Sequence, residues 1–276
     1  MRDALRNLST RVILALAALL LVSGCQTPLG APPAREFTFV QMCDPQLGMN
    51  DVATDSASLT QAVARINALA PAFVIVCGDL VVTANTNSFA EVRQILSGLV
   101  MPWYVTPGNH DVGNAPTPAS LALFRAAIGP DRQTFEYGGV RFLLVDMPLW
   151  KAPVEGETAA QDAWVAQTLS AAHRKGRPVI VAGHQPPFEG DPNEGDSYAN
   201  LPRETRQRVL AEYATNGVVA VLGGHLHRSV ALEHAGMQIV CGETTSKNFD
   251  GRPLGFRLWR VRPGTPPEHT FVPLTE

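Results

Sequence analysis

Five short apolar runs in this chain each stop at a polar turn rich in glycine and in metal-ligating residue types. Phe37–Met42 runs into Asp44-Pro45-Gln46, Phe73–Cys77 into Gly78-Asp79, and Trp103–Val105 into Gly108-Asn109-His110-Asp111. Val179–Ala182 runs into Gly183-His184, and Val218–Leu222 into Gly224-His225-Leu226-His227. Short apolar runs bounded by turn formers read as buried strands. Between the first three, apolar residues recur at helical spacing, with Leu59, Val63, Ile66 and Leu69 inside Asp55–Ala70 and a second such stretch over Phe89–Leu99. This alternation predicts parallel β-α units, whose ligands gather beyond the carboxyl ends of the strands. Four of the seven histidines fall in the five turns. His225 and His227 flank a single residue, so in an extended segment both face one side and can meet one centre.

The rest of the chain predicts a second sheet. Gly138-Gly139 between Thr134–Tyr137 and Val140–Asp146 is a hairpin signal. Thr158–Ala172 and Pro202–Tyr213 read as helices, and Val230–Glu233, Met237–Cys241 and Gly255–Val261 as antiparallel strands. The simplest packing is a two-sheet α/β sandwich with helices outside. A hydrophobic fraction of 45% with a net charge of only -3 excludes a disordered chain. The same charge offers no basic field for nucleic acid backbones, so no stable nucleic-acid binding is expected, and no obligate protein partner is evident. Cys43, Cys77 and Cys241 sit among apolar residues and read as buried thiols, with a Cys43–Cys77 pair the alternative in an oxidising compartment.

The amino terminus reads as an address. Arg2, Arg6 and Arg11 precede or open an apolar run, Val12–Val22, that ends at Ser23-Gly24-Cys25. A charged start, a short apolar stretch and small residues at the break make a secretory signal, too short for the about 20 residues of a membrane span. Val22-Ser23-Gly24-Cys25 resembles a bacterial lipobox, which implies lipidation of Cys25 and a membrane anchor; the alternative is an ordinary cleaved signal with an incidental cysteine. Gln26 rather than Asp follows, which points to the outer membrane facing the periplasm. The expected organisation is a signal peptide over 1–24, a lipidated cysteine and Pro-rich tether over 25–35, and a folded domain over 36–276.

Taken in order, Asp-x-Gln, Gly-Asp, Gly-Asn-His-Asp, Gly-His and Gly-His-x-His resemble the motifs of the calcineurin-like metallophosphoesterase superfamily, from Phe37 to Arg260. Asp44-Pro45-Gln46-Leu47-Gly48 and Gly108-Asn109-His110-Asp111-Val112-Gly113-Asn114 are similar to one subgroup, whose animal member is similar to a Ser/Thr protein phosphatase. The resemblance implies a four-layer α/β/β/α sandwich with two mixed sheets and two divalent metal ions. It implies that Asp44, Gln46 and His227 hold the first ion, that Asp79 bridges both, and that Asn109, His184 and His225 complete the second. It places Asn109 and His110 at the substrate, with His110 beside the leaving-group oxygen and Asp111 holding His110. The implied reaction is hydrolysis of phosphate esters by a hydroxide between the ions.

Two positions depart from the family pattern. Gln46 stands where most members have His; an amide oxygen is harder and weaker than imidazole, which favours Mn, Fe or Mg while leaving Zn available. Val82 stands where a longer Gly-Asp-x-x-Asp motif ends in Asp, which bears on the orientation of His110. Arg228 is a candidate contact for a phosphate oxygen and equally an ordinary surface arginine. The acidic loop Phe188–Ala199 reads as a rim over the site, since Pro202 occupies the place of the bidentate Glu of a calcium loop. The expected substrate is a phosphorylated small molecule, monoesters leading. The alternatives are a periplasmic phosphodiesterase or nucleotidase and a catalytically silent metal-binding envelope protein.

Overall fold

In β1 (Phe37–Met42), Phe37 and Phe39 join one apolar cluster while Val40 and Met42 join another, so the strand is buried on both faces. The computed structural model describes residues 34–275, and the expected signal segment, Cys25 and most of the tether lie outside the described residues. β2 (Val74–Cys77) and β3 (Trp103–Thr106) pair parallel to β1, while β10 (Gly255–Val261) and β11 (Glu268–Pro273) extend the sheet antiparallel on the other side. The order is β11-β10-β1-β2-β3.

The second sheet runs β4-β5-β6-β7-β9-β8. Its strands are β4 (Gln133–Tyr137), β5 (Val140–Leu144), β6 (Val179–Ala182), β7 (Val218–Gly223), β8 (Val230–His234) and β9 (Met237–Cys241). The four central strands are parallel and the two edges antiparallel. Gly138 and Gly139 close the β4–β5 hairpin at φ 57 and 90, a pair of left-handed positions that glycine adopts without steric cost.

Helices cover both outer faces. Leu59, Val63 and Ile66 of α1 (Val52–Leu69), Phe89 and Val92 of α2 (Thr86–Leu96) and Phe124 of α4 (Pro118–Ala127) pack on the first sheet. Val165 and Leu169 of α6 (Glu157–Arg174) and Val209 and Tyr213 of α7 (Arg203–Thr215) pack on the second. Two short helices, α3 (Asn109–Val112) and α5 (Pro148–Lys151), complete the set. The result is the four-layer α/β/β/α sandwich. Between the sheets Phe39 stacks on Trp259 at 5.8 Å and on Phe73 at 5.2 Å. Gln41 ties the two sheets together: its Nε2 donates to Gly223 O (2.9 Å) and Val240 O (3.0 Å), and its Oε1 accepts from Trp259 Nε1 (2.8 Å).

Some local details differ from the sequence reading. Asp51 caps α1, ahead of the expected start at Asp55; Asp55 is buried and accepts from the backbone of Gly48 and Asn50, both at 3.0 Å, which fixes the loop after Gln46. β10 leaves the second sheet and pairs with β1 instead of continuing from β9. α4 and β11 are additional elements; Pro118 opens α4 behind a Thr117 capping box. Cys43, Cys77 and Cys241 are all buried free thiols.

Asp146, beyond the end of β5, is fully buried and its Oδ2 has no hydrogen-bond partner. Burial, with Asp131 adding to it, holds the Asp146 carboxyl well above the usual carboxylate range. The folded chain therefore keeps a proton that the unfolded chain releases above about pH 4, and stability falls as pH rises past that value. Asp146→Asn removes this slope. Urea midpoints are expected to show the variant gaining on the parent between pH 5 and pH 8, by at most about 1.4 kcal/mol per pH unit. A constant difference across that range would show that Asp146 does not titrate this way.

Candidate metal centre

The five polar turns meet at one edge of the sandwich, and the backbone there is unusual. Asp44, Gln46, Asp79, His225 and His227 all have positive φ, between 33 and 67. Among the described residues only Ala70 and Ala235 share this conformation outside glycine. Non-glycine residues enter the left-handed region at a cost that the surrounding structure must impose. Here it turns the chain back directly after each strand, which keeps these side chains over the crevice.

Asp79, His184 and His225 form the most convergent group: each is buried and offers a ligand atom, all within 4.8 Å of one another. His184 Nε2 lies 3.1 Å from Asp79 Oδ2, 3.1 Å from Asn109 Oδ1 and 3.2 Å from His225 Nδ1. The Asp44 carboxylate lies alongside, 3.6 Å from His227 Nε2, and both its oxygens accept from the His225 backbone N–H at 3.0 Å. Gln46 Oε1 is buried with no hydrogen-bond partner. A buried amide oxygen without a partner costs free energy unless something electropositive meets it.

Each histidine has its second ring nitrogen held by a backbone carbonyl. His184 Nδ1 donates to Cys77 O (2.8 Å), His225 Nε2 to Tyr198 O (3.2 Å) and His227 Nδ1 to Lys247 O (2.6 Å). Such a partner fixes the tautomer and aims the remaining lone pair into the site. Burial and the neighbouring His184 push His225 down to about 3, so it is a neutral imidazole at physiological pH and able to ligate a cation. Burial pushes Asp44 up to about 6 against the pull of His227 and His184. For His184, burial opposes protonation, but Asp79 and Asp44 overcome it and raise the ring to about 10, so its Nε2 carries a proton that a bound cation would displace. A pocket that concentrates this much carboxylate charge fits cations, and the mixed oxygen and imidazole donors fit divalent ones.

The remaining site candidates fall less simply. His110 is partly buried, its N–H donates to Asp79 Oδ1 (2.8 Å), and its Nδ1 donates to the backbone oxygen of Val82 (3.0 Å). Asp111 does not hold the His110 ring. Its carboxylate instead accepts from Gly108 N (2.8 Å) and Leu80 N (2.9 Å), stapling the second and third turns together. The Val82 carbonyl meets the ring at the position where the resemblance would put an Asp, and Asp111 positions backbone. Burial and the adjacent Asp79 push Asp111 up to about 8. Arg228 does not point free into the site either; it pairs with Glu189 of the rim loop at 2.7 Å.

That loop is organised from within. Glu194 accepts from the backbone of Glu189 (2.8 Å), Gly190 (3.1 Å) and Asp191 (3.1 Å), and from Asn200 Nδ2 (2.6 Å), so its carboxylate closes the loop rather than facing a calcium ion. Tyr198 reaches the convergent group directly, its hydroxyl accepting from Asn109 Nδ2 at 2.8 Å. The sequence places Tyr198 only in a rim, and the holding carbonyls have no sequence signal at all, since every residue carries one.

Residues 46–229 match the family description Calcineurin-like phosphoesterase. The chain is 33% identical over 247 residues to a Danio rerio protein named serine/threonine-protein phosphatase CPPED1, covering 80% of each chain. It is 29% identical over 248 residues to the Homo sapiens protein of that name, covering 80% of this chain and 79% of the other. Its fold is similar to the crystal structure of a dimetal phosphatase from Danio rerio, with a TM-score of 0.67 at 15% identity, over 88% of this chain and 98% of that chain.

Proposed function

The chain belongs to the calcineurin-like phosphoesterase family of phosphoester hydrolases, and from that premise we infer that it is a two-metal phosphomonoesterase of a bacterial cell envelope. The observation that carries this reading is the buried convergence of Asp79, His184 and His225, with Asn109 beside them. Asp44, Gln46 and His227 would hold one ion and Asn109, His184 and His225 the other, with Asp79 available to both. Two divalent ions bound there would neutralise charge on the phosphoryl oxygens and supply a nucleophilic water at neutral pH. The amide oxygen of Gln46 makes Mn, Fe or Mg the favoured occupants over Zn. Monoesters lead because the relatives are named phosphatases.

His110 supplies the proton. The Val82 carbonyl can only accept, so Nδ1 donates to it, which leaves Nε2 for the substrate. In its protonated form Nε2 stabilises the leaving oxygen and passes the proton to it. His110→Asn is expected to lower kcat about a hundredfold while the metal content stays that of the parent. Unchanged kcat would remove His110 from this role.

The lipid anchor is carried by the Cys25 reading. Cys25→Ser is expected to move the protein from the membrane fraction to the soluble periplasm and to abolish fatty-acid labelling; labelling of the variant would refute the assignment. The activity is tested on metal-stripped protein given Mn²⁺, with a 4-nitrophenyl phosphate monoester and the matching diester. Metal-dependent turnover with the monoester ahead is the expected result. Turnover of neither, with two ions bound per chain, would overturn the catalytic reading.

A further inference from the structure

Tyr198 and Phe249 are each 60% exposed, and among the described residues they are the two large aromatic side chains left so open. Both lie against the same centre. The Tyr198 ring sits 4.8 Å from His225 at 41°, and the Phe249 ring stacks on His227 at 4.6 Å and 15°. Single exposed apolar residues are ordinary; two aromatic rings packed on the two arms of one His-x-His pair are a patch with a location.

Both rings are held, not trailing. Tyr198 accepts from Asn109 Nδ2 through its hydroxyl, and its carbonyl takes His225 Nε2. Its loop is fastened by Lys151, whose Nζ donates to the carbonyls of Ser197 and Asn200, and by the Arg228–Glu189 pair. Phe249 N–H donates to His227 O at 2.6 Å, and Asn248 beside it bonds to Thr244 N and Pro253 O, both at 2.8 Å. Because Asn109 donates to the Tyr198 oxygen, the phenol proton is left to donate to another acceptor.

The geometry points to an aromatic rim: Tyr198 and Phe249 flank the phosphoryl position and take a planar aromatic group carried on the alcohol side of the ester. This rests on the phosphoesterase reading and adds the substrate class to it. The shared chemistry is a flat π-system a few bonds from a phosphate, whether a nucleobase or a phenyl ring. A ring stacked on one aromatic side chain gains about tenfold in affinity.

Two paired comparisons on the Mn²⁺-loaded protein separate the sources. In the first, calorimetry gives Kd for phenylphosphonate against methylphosphonate, neither of which is turned over. In the second, kcat/KM is measured for adenosine 5′-monophosphate against ribose 5-phosphate, which share a primary 5′-alkoxide as leaving oxygen and differ by the base. At least one ratio is expected to favour the aromatic member by about tenfold. The ratio should fall towards one in Tyr198→Ala and in Phe249→Leu, which keeps apolar packing on His227, and should persist in Tyr198→Phe. Metal content is measured for each variant, so a lost ligand sphere is not read as a lost rim. Ratios near one in the parent, or tenfold ratios untouched by both substitutions, overturn the rim. Failure to hydrolyse either phosphate, with the phosphonate ratio intact and sensitive to the substitutions, overturns the phosphoesterase reading and leaves the rim standing.

Discussion

Asp79→Asn is expected to remove both the bound metal and at least about a thousandfold of the turnover. The carboxylate of Asp79 is buried, lies 3.1 Å from His184 Nε2 and accepts from His110 N at 2.8 Å. Burial alone would raise its pKa, yet His184 and His110 hold it below the usual carboxylate range, so it is ionised wherever the enzyme works. An amide of the same shape removes that charge and turns one acceptor into a donor facing ligand atoms. Metal content by mass spectrometry and kcat/KM on an aryl phosphate read the two losses separately. Near-parental turnover with two ions bound would sink the assignment of Asp79 between them.

Gly108→Ala is expected to cost more than about a hundredfold in activity, although residue 108 contributes no ligand. A methyl group there would overlap the Asp79 backbone nitrogen and Oδ1 and lie 2.8 Å from Asp79 Cγ. Neither partner can yield cheaply. Asp79 already has a left-handed backbone, and Gly108 N is held by Asp111 at 2.8 Å. Gly224 is built alike, since a methyl group there would overlap Asp44 Oδ2 and lie 3.0 Å from Cys77 O. A shift of about 1 Å in a catalytic group is enough for such a loss. Activity and denaturant midpoint measured together give the test. A variant as active as the parent would mean that the second and third turns tolerate separation, and the stapling role of Asp111 would fall with it.

Much of the architecture was legible because strand and helix periodicities are local. Phe37–Met42 and Val74–Cys77 follow the predicted runs closely, and the Gly138-Gly139 hairpin forms where its dipeptide falls. Less was legible where pairing is remote: β10 sits beside β1 more than two hundred residues earlier in the chain, and no local pattern encodes that choice. The rim loop shows the same limit, because Tyr198 acts through one hydroxyl bond to Asn109 and one carbonyl bond to His225.

By itself the sequence determined which residue types end the strands, and hence a donor set of carboxylates, amides and imidazoles at the carboxyl edge of parallel β-α units. That follows because chain direction and side-chain alternation are properties of each strand alone. The tertiary structure decided the rest. It set which ring nitrogen each histidine presents, since the carbonyls of Cys77, Tyr198 and Lys247 arrive from other turns. It gave Asp111 two backbone amides to hold and handed His110 to the Val82 carbonyl. Orientation depends on partners distant in the chain, and backbone partners have no residue type by which a sequence could announce them.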